Sequence, residues 1–100
     1  MYAVIRSYTT TDAEEIRRRV EEEFIPIVGD IPGLISYYIV DGGDGRLSSI
    51  TICEDRSGIE ESTQRAADWV HDRLSSLITS GPEVMMGEVT FEHSAAPTQA

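Results

Sequence analysis

The sequence predicts an α+β fold with its elements in the order β-α-β-β-α-β, and three observations carry that expectation. Four short stretches are rich in β-branched and aromatic residues, and two longer ones place apolar residues at helical spacing. The run Asp41-Gly42-Gly43-Asp44-Gly45 supplies the positive-φ positions of a tight hairpin between the middle two strands. Each helical stretch opens on a Ser/Thr-x-x-Glu capping box, Thr11 with Glu14 and Ser57 with Glu60.

Taken in order, residues 2 to 8 (YAVIRSY) read as the first strand. A helix follows, with Ala13, Ile16, Val20, Phe24 and Ile27 in one stripe and charges opposite. Pro26 should end or kink it, because proline removes a helical bond and clashes with the preceding turn. Residues 34 to 40 (LISYYIV) form the second strand. Residues 46 to 54 (RLSSITICE) form the third, antiparallel to the second across the hairpin. The second helix carries Ile59, Thr63, Ala66, Val70, Leu74 and Leu77 on its apolar stripe, and Ser80-Gly81-Pro82 is expected to stop it. Residues 84 to 93 (VMMGEVTFEH) complete the set as a fourth strand. Residues 1–93 are expected to be one domain, with 94–100 a disordered tail. The order is that of the ferredoxin-like fold, with a four-stranded antiparallel sheet and both helices on one side.

That arrangement leaves one sheet face bare, and a solvated face should alternate polar with apolar. Here it does not. In the second strand, Leu34, Ser36, Tyr38 and Val40 oppose Ile35, Tyr37 and Ile39, so both faces are largely apolar or aromatic. An exposed apolar sheet of that extent needs a cover, and a second copy supplies one through a single self-complementary surface. The expected assembly is a homodimer, pairing as a dimeric α+β barrel.

Composition narrows the partners. The 100 residues carry 18 acidic and 8 basic side chains, a net charge of −10. A phosphate-binding surface needs concentrated positive charge, so no nucleic acid and no membrane partner is expected. The one basic cluster, Arg17-Arg18-Arg19, lies three or four positions from Glu14, Glu15 and Glu21 to Glu23, where helical pairing neutralises it. All the basic residues are Arg, which removes Schiff-base chemistry, and there is no Asn. The single Cys53 precedes Glu54 and Asp55, which suppress its thiolate, and offers no metal-ligand spacing. The first residues lack the pattern of a signal peptide and no apolar run reaches membrane-spanning length, so a cytoplasmic location is expected. No cofactor or metal is called for.

Six residues are candidates for lining a ligand pocket. Arg6 and Glu88 interrupt strands that should adjoin. They could form an ion pair inside the barrel or across the dimer seam, or anchor a substrate oxygen with Tyr8 and Tyr38 beside them. Trp69 sits on the flank of the second helix's stripe, able to wall an aromatic pocket or to pack over the sheet edge or dimer seam. His71, beside Asp68 and Asp72, could serve as a base or lie solvated among those carboxylates.

The first helix ending near Phe24-Ile25-Pro26, then Ile31-Pro32-Gly33-Leu34 with Tyr37-Tyr38, resembles the dimeric α/β-barrel superfamily. So do Ser49 to Arg56, Glu61-Ser62 and Ala66-Ala67-Asp68-Trp69-Val70, which are similar to small antibiotic-biosynthesis-monooxygenase-like proteins. The resemblance covers roughly residues 2 to 93. It implies a pocket between helices and sheet, and cofactor-independent oxygenation of a small aromatic or polyketide-type substrate whose own carbanion reacts with oxygen. Haem-degrading members use an Asn, a Trp and a His; this chain has no Asn and its Trp lies on the second helix, so no such role transfers. The alternative is a non-catalytic dimeric module that binds a small molecule or a protein.

Overall fold

The structure is a computed structural model describing residues 1–95, so positions 96–100 of the expected tail lie outside the described residues. The elements are β1 (Tyr2–Thr10), α1 (Ala13–Arg19), a π turn (Val20–Phe24), α2 (Ile25–Val28), β2 (Leu34–Gly43), β3 (Arg46–Cys53), α3 (Arg56–Arg73) and β4 (Ile78–Glu88). All neighbouring strands are antiparallel, in the order β2-β3-β1-β4. This is the expected ferredoxin-like arrangement, with the helices covering one sheet face.

The start of α1 lies one residue later than the expected box. Strand β1 runs on to Thr10, whose hydroxyl accepts from the Asp12 amide at 3.0 Å and donates to the Leu77 carbonyl at 2.6 Å. Asp12, not Thr11, is then the cap, accepting from the Glu15 amide at 3.1 Å. A carboxylate there also faces the positive end of the helix. The arginine cluster is paired on the solvated face as expected, Arg17 with Glu21 at 2.7 Å, Arg18 with Glu22 at 2.8 Å and Arg19 with Glu15 at 2.7 Å. Pro26 does not stop the helix. The turn ahead of it widens, so that the Ile25 amide reaches the Val20 carbonyl five residues back, and the chain continues to Val28.

Helix α3 departs from expectation at both ends. It starts at Arg56 behind Asp55, and neither Ser57 nor Asp55 makes a side-chain cap. Its buried face is Gly58, Ile59, Ser62, Ala66 and Trp69, turned so that Trp69 replaces Thr63 and Val70 at the centre. The indole has far more apolar area to remove from water than either alternative. The helix ends at Arg73, well before Ser80-Gly81-Pro82, and Leu77 lies beyond it.

The Ser80-Gly81-Pro82 segment belongs to β4, which starts at Ile78 instead of residue 84. As an edge strand, β4 can hold a proline with no amide to donate, and the β1–β4 register shifts beside it, between Ser7 and Thr9. Strand β4 ends at Glu88, opposite Tyr2; just past it the Val89 amide still donates to the Met1 carbonyl at 2.9 Å, and Phe91 and His93 lie further on. The β2–β3 hairpin has the expected positive φ at Asp44 (55°) and Gly45 (77°).

Between sheet and helices, Ile16, Val20, Phe24, Val28, Leu47, Ala66, Trp69 and Leu74 form the main core. On the other sheet face, antiparallel register aligns Tyr38, Ile50, Ile5 and Met85 in one row across all four strands. Tyr38 and Met85, at the row's ends, are 53% and 67% exposed. The two-sided apolarity expected from β2 therefore extends across all four strands in this row, while the neighbouring row, Val40, Ser48, Ser7 and Glu83, is mostly polar.

Candidate functional site

A pocket opens between the helix-facing side of the sheet and the helices. Its cavity volume is only about 30 Å³, so the side chains nearly fill it. Ligand pockets are concave and mostly apolar with few polar groups, and this one has that composition. Ile16, Val20, Ile39, Leu47, Val70 and Leu74 supply the apolar lining.

Aromatic rings form its wall. Phe24, on the π turn, stands between Trp69 of α3 and Tyr37 of β2, with ring centroids at 5.1 Å and 5.7 Å and tilts of 38° and 51°. Such tilted pairs are favourable beyond the area they bury. The indole N–H of Trp69 donates to Glu23 at 3.3 Å, and Arg73 holds that carboxylate at 2.8 Å. Burial pushes the Tyr37 phenol up to about 12, helped by Tyr8 and opposed by Ser49 and Arg6. Tyr37 is therefore a neutral hydroxyl at physiological pH.

Arg6 lines the same pocket from the middle of β1, next to Ser49 on β3 and Val84 on β4. It is only 5% exposed, yet among the described residues no carboxylate pairs with it. Its Nε–H donates to the Tyr8 hydroxyl at 3.0 Å, and its guanidinium carbon lies 5.8 Å from the centre of that ring. The lining contains no carboxylate, histidine or cysteine among the described residues. Its lining combines apolar and aromatic side chains with one guanidinium and a few hydroxyls, and it holds no acid–base pair.

Of the six sequence candidates, Arg6, Tyr8 and Trp69 meet in this pocket. The other three do not. Glu88 is exposed and opposite Tyr2, four residues from Arg6 along β1, so the expected ion pair is absent. Tyr38 points to the open sheet face; a bulge between Leu34 and Ser36 sets the register that turns Tyr37 and Ile39 toward the helices. His71 projects outward from α3, 3.3 Å from the Asp72 carboxylate and largely exposed. Trp69 is not at a sheet edge but in the core, 8% exposed. Sequence reasoning missed Phe24 and Tyr37 as walls; the Tyr37-Tyr38 pair signalled that one of the two faces inward. Among the described residues no group of three or more His, Cys, Asp or Glu is placed to hold a metal, and no helix is long and apolar enough to cross a membrane.

No protein-family model matches the chain, and no curated protein matches it. Solved structures do. A monooxygenase from Streptomyces coelicolor, bound to nanaomycin D, is 14% identical with a TM-score of 0.73, covering 97% of this chain and 92% of that one. SnoaB, a cofactor-independent oxygenase from Streptomyces nogalater, is 14% identical with a TM-score of 0.70, covering 91% of this chain and 94% of that one. A dimeric ferredoxin-like protein from an uncultured marine organism is 14% identical with a TM-score of 0.73, covering 95% and 92%. The chain thus shares, nearly end to end, the ferredoxin-like fold of these small oxygenases and dimeric proteins.

Proposed function

We propose that the chain is a homodimeric, cofactor-independent monooxygenase-like protein that binds a small aromatic or polyketide-type molecule in the pocket between sheet and helices. The observation that carries this reading is that the aromatic side chains of Phe24, Tyr37 and Trp69 line the same apolar pocket as Arg6 and Tyr8. In the simplest reaction of this class an activated CH₂ and O₂ become C=O and water, the electrons coming from the substrate's own carbanion. A dry pocket with oriented polar groups is what such chemistry asks of a protein. The present space admits little more than water, so a ring system enters by displacing side chains at the pocket mouth.

The dimer in this reading forms through the Tyr38–Ile50–Ile5–Met85 row, with residues 1–93 acting as one domain. Its supports are the apolar row itself and the dimeric protein of the same fold. The buried, unpaired Cys53 suits a reducing, cytoplasmic setting.

Oxygen consumption with anthrone, followed with anthraquinone formation, tests the catalytic part. Turnover above the spontaneous rate, lost in Trp69→Ala, is expected. Binding without oxygen consumption would favour the non-catalytic module instead, a reading supported by the lack of any acid–base pair in the lining. Light scattering tests the dimer, with Ile50→Glu expected to give a monomer.

A further inference from the structure

The geometry points to an anionic ligand: Arg6 and Tyr8 form a receptor for the oxyanion of an aromatic carboxylate or enolate, held in the pocket by the aromatic wall. This deepens the pocket reading above and rests on it.

Three observations converge. Arg6 is 95% removed from solvent by its 5% exposure, at the centre of the sheet and not at its rim. A guanidinium withdrawn from water is costly unless an anion compensates it, and buried arginines are ordinarily paired. Here none of the described carboxylates pairs with it; even those on the sheet, Asp41 of β2 and Glu83 and Glu88 of β4, are exposed and make no ion pair with Arg6. Only the Nε–H has a protein acceptor among the described residues; the terminal nitrogens are not sealed off without a partner, so their N–H donors remain reachable by water or by a ligand.

The one acceptor Arg6 does have orients it. Tyr8 takes the Nε–H and lies 5.8 Å from the guanidinium carbon, so the side chain is tethered from one side while its fork remains available. A planar fork of donors matches a carboxylate or a pair of enolate and carbonyl oxygens, whereas a neutral ring offers it nothing. The remaining lining is apolar or neutral, with Tyr37 held in its hydroxyl form, so no other positive group competes for the anion.

The test compares 2-naphthoate with its neutral isostere 2-naphthamide by titration calorimetry at neutral pH. Naphthoate should bind on the order of ten- to a hundredfold more tightly, the range of a charge-assisted hydrogen-bonded contact. Arg6→Met should erase that preference. In the ligand-free state the same variant should unfold at a higher temperature, because a buried unpaired charge has been removed. An arginine serving only the fold would lower it. If Arg6→Met fails to fold, Tyr8→Phe still reads the site, with the preference expected to shrink. Equal binding of the two probes to the natural chain overturns the anion receptor but leaves the pocket reading intact. Binding of neither probe overturns both.

Discussion

Trp69 of α3 donates its indole N–H to Glu23 of the π turn at 3.3 Å, and Arg73 clamps the same carboxylate from one turn further along α3. One polar contact thus ties the two helical layers together at the edge of an otherwise apolar pocket. The π turn that carries Glu23 and Phe24 lies immediately ahead of Pro26. The widened turn that accommodates the proline is the segment that brings an acid and an aromatic ring onto the same tryptophan.

Removing the indole should therefore cost both packing and connection. Trp69→Ala is expected to destabilise the fold by about 3–5 kcal/mol, the usual range for a buried large aromatic. Trp69→Phe should cost less, since it keeps a ring against Phe24 and loses only the N–H and part of the volume. Urea denaturation of both variants measures the difference.

Acid should weaken the helical layer by a defined route. The guanidinium groups of Arg18 and Arg19 hold the Glu15 carboxyl down to about 2, and Arg73 lowers that of Glu23. Carboxyls lowered on folding add stability that is complete above their ordinary value of 4.5 and is lost as pH falls toward about 2. These groups are partly exposed, so the effect is small and screened by salt. The melting temperature should fall through that acid window at low ionic strength, and Glu15→Gln should flatten the fall.

Gly58 permits the close approach of α3 to the end of β3. A Cβ there would sit 3.1 Å from the Cys53 Cβ and 3.2 Å from its sulfur, both inside the core. Gly58→Val should cost about 1–3 kcal/mol through overpacking. Combining it with Cys53→Ala should recover part of the loss, a coupling that a double-mutant cycle would read directly.

The Cys53 thiol should be silent in the folded protein. It is fully buried, and burial followed by the charge of Asp55 raises it above the ordinary thiol value. Thiol labelling at neutral pH should then proceed at the rate of global unfolding and accelerate with denaturant. Rapid labelling of the native chain would contradict the buried position.

Gly45 tests the hairpin. Its φ of +77° disfavours side chains, and a Cβ would collide with the Thr10 carbonyl. Gly45→Ala should cost about 2 kcal/mol, combining left-handed strain with the clash, as thermal unfolding would show.

Local chemistry made the element order legible: the hairpin glycines, the helical spacing of Ile16, Val20 and Phe24, and strand-forming runs such as residues 34 to 40. Arg6 and Tyr8 stood out because a charge interrupting an apolar strand is visible in one dimension. Tyr37 and Phe24 look like ordinary core residues in one dimension, and the separation of Glu88 from Arg6 follows from the β1–β4 register, which sets Glu88 opposite Tyr2 and Val84 opposite Arg6. A Ser-Gly-Pro triplet stops a helix in isolation, whereas an edge strand beside a register shift accepts it.

The sequence alone determined the order of elements, the pairing of the arginine cluster and the apolarity of both sheet faces. These depend on neighbours within a few residues, where propensity, spacing and charge act directly. The tertiary structure decided which side of β2 faces the helices, how far α3 is rotated, and that Arg6 lies buried without a carboxylate. A single bulge flips side chains between faces, a helix turns to bury its largest ring, and strand register sets which charges meet. Those outcomes come from packing between residues distant in the chain, and the pocket is made of them.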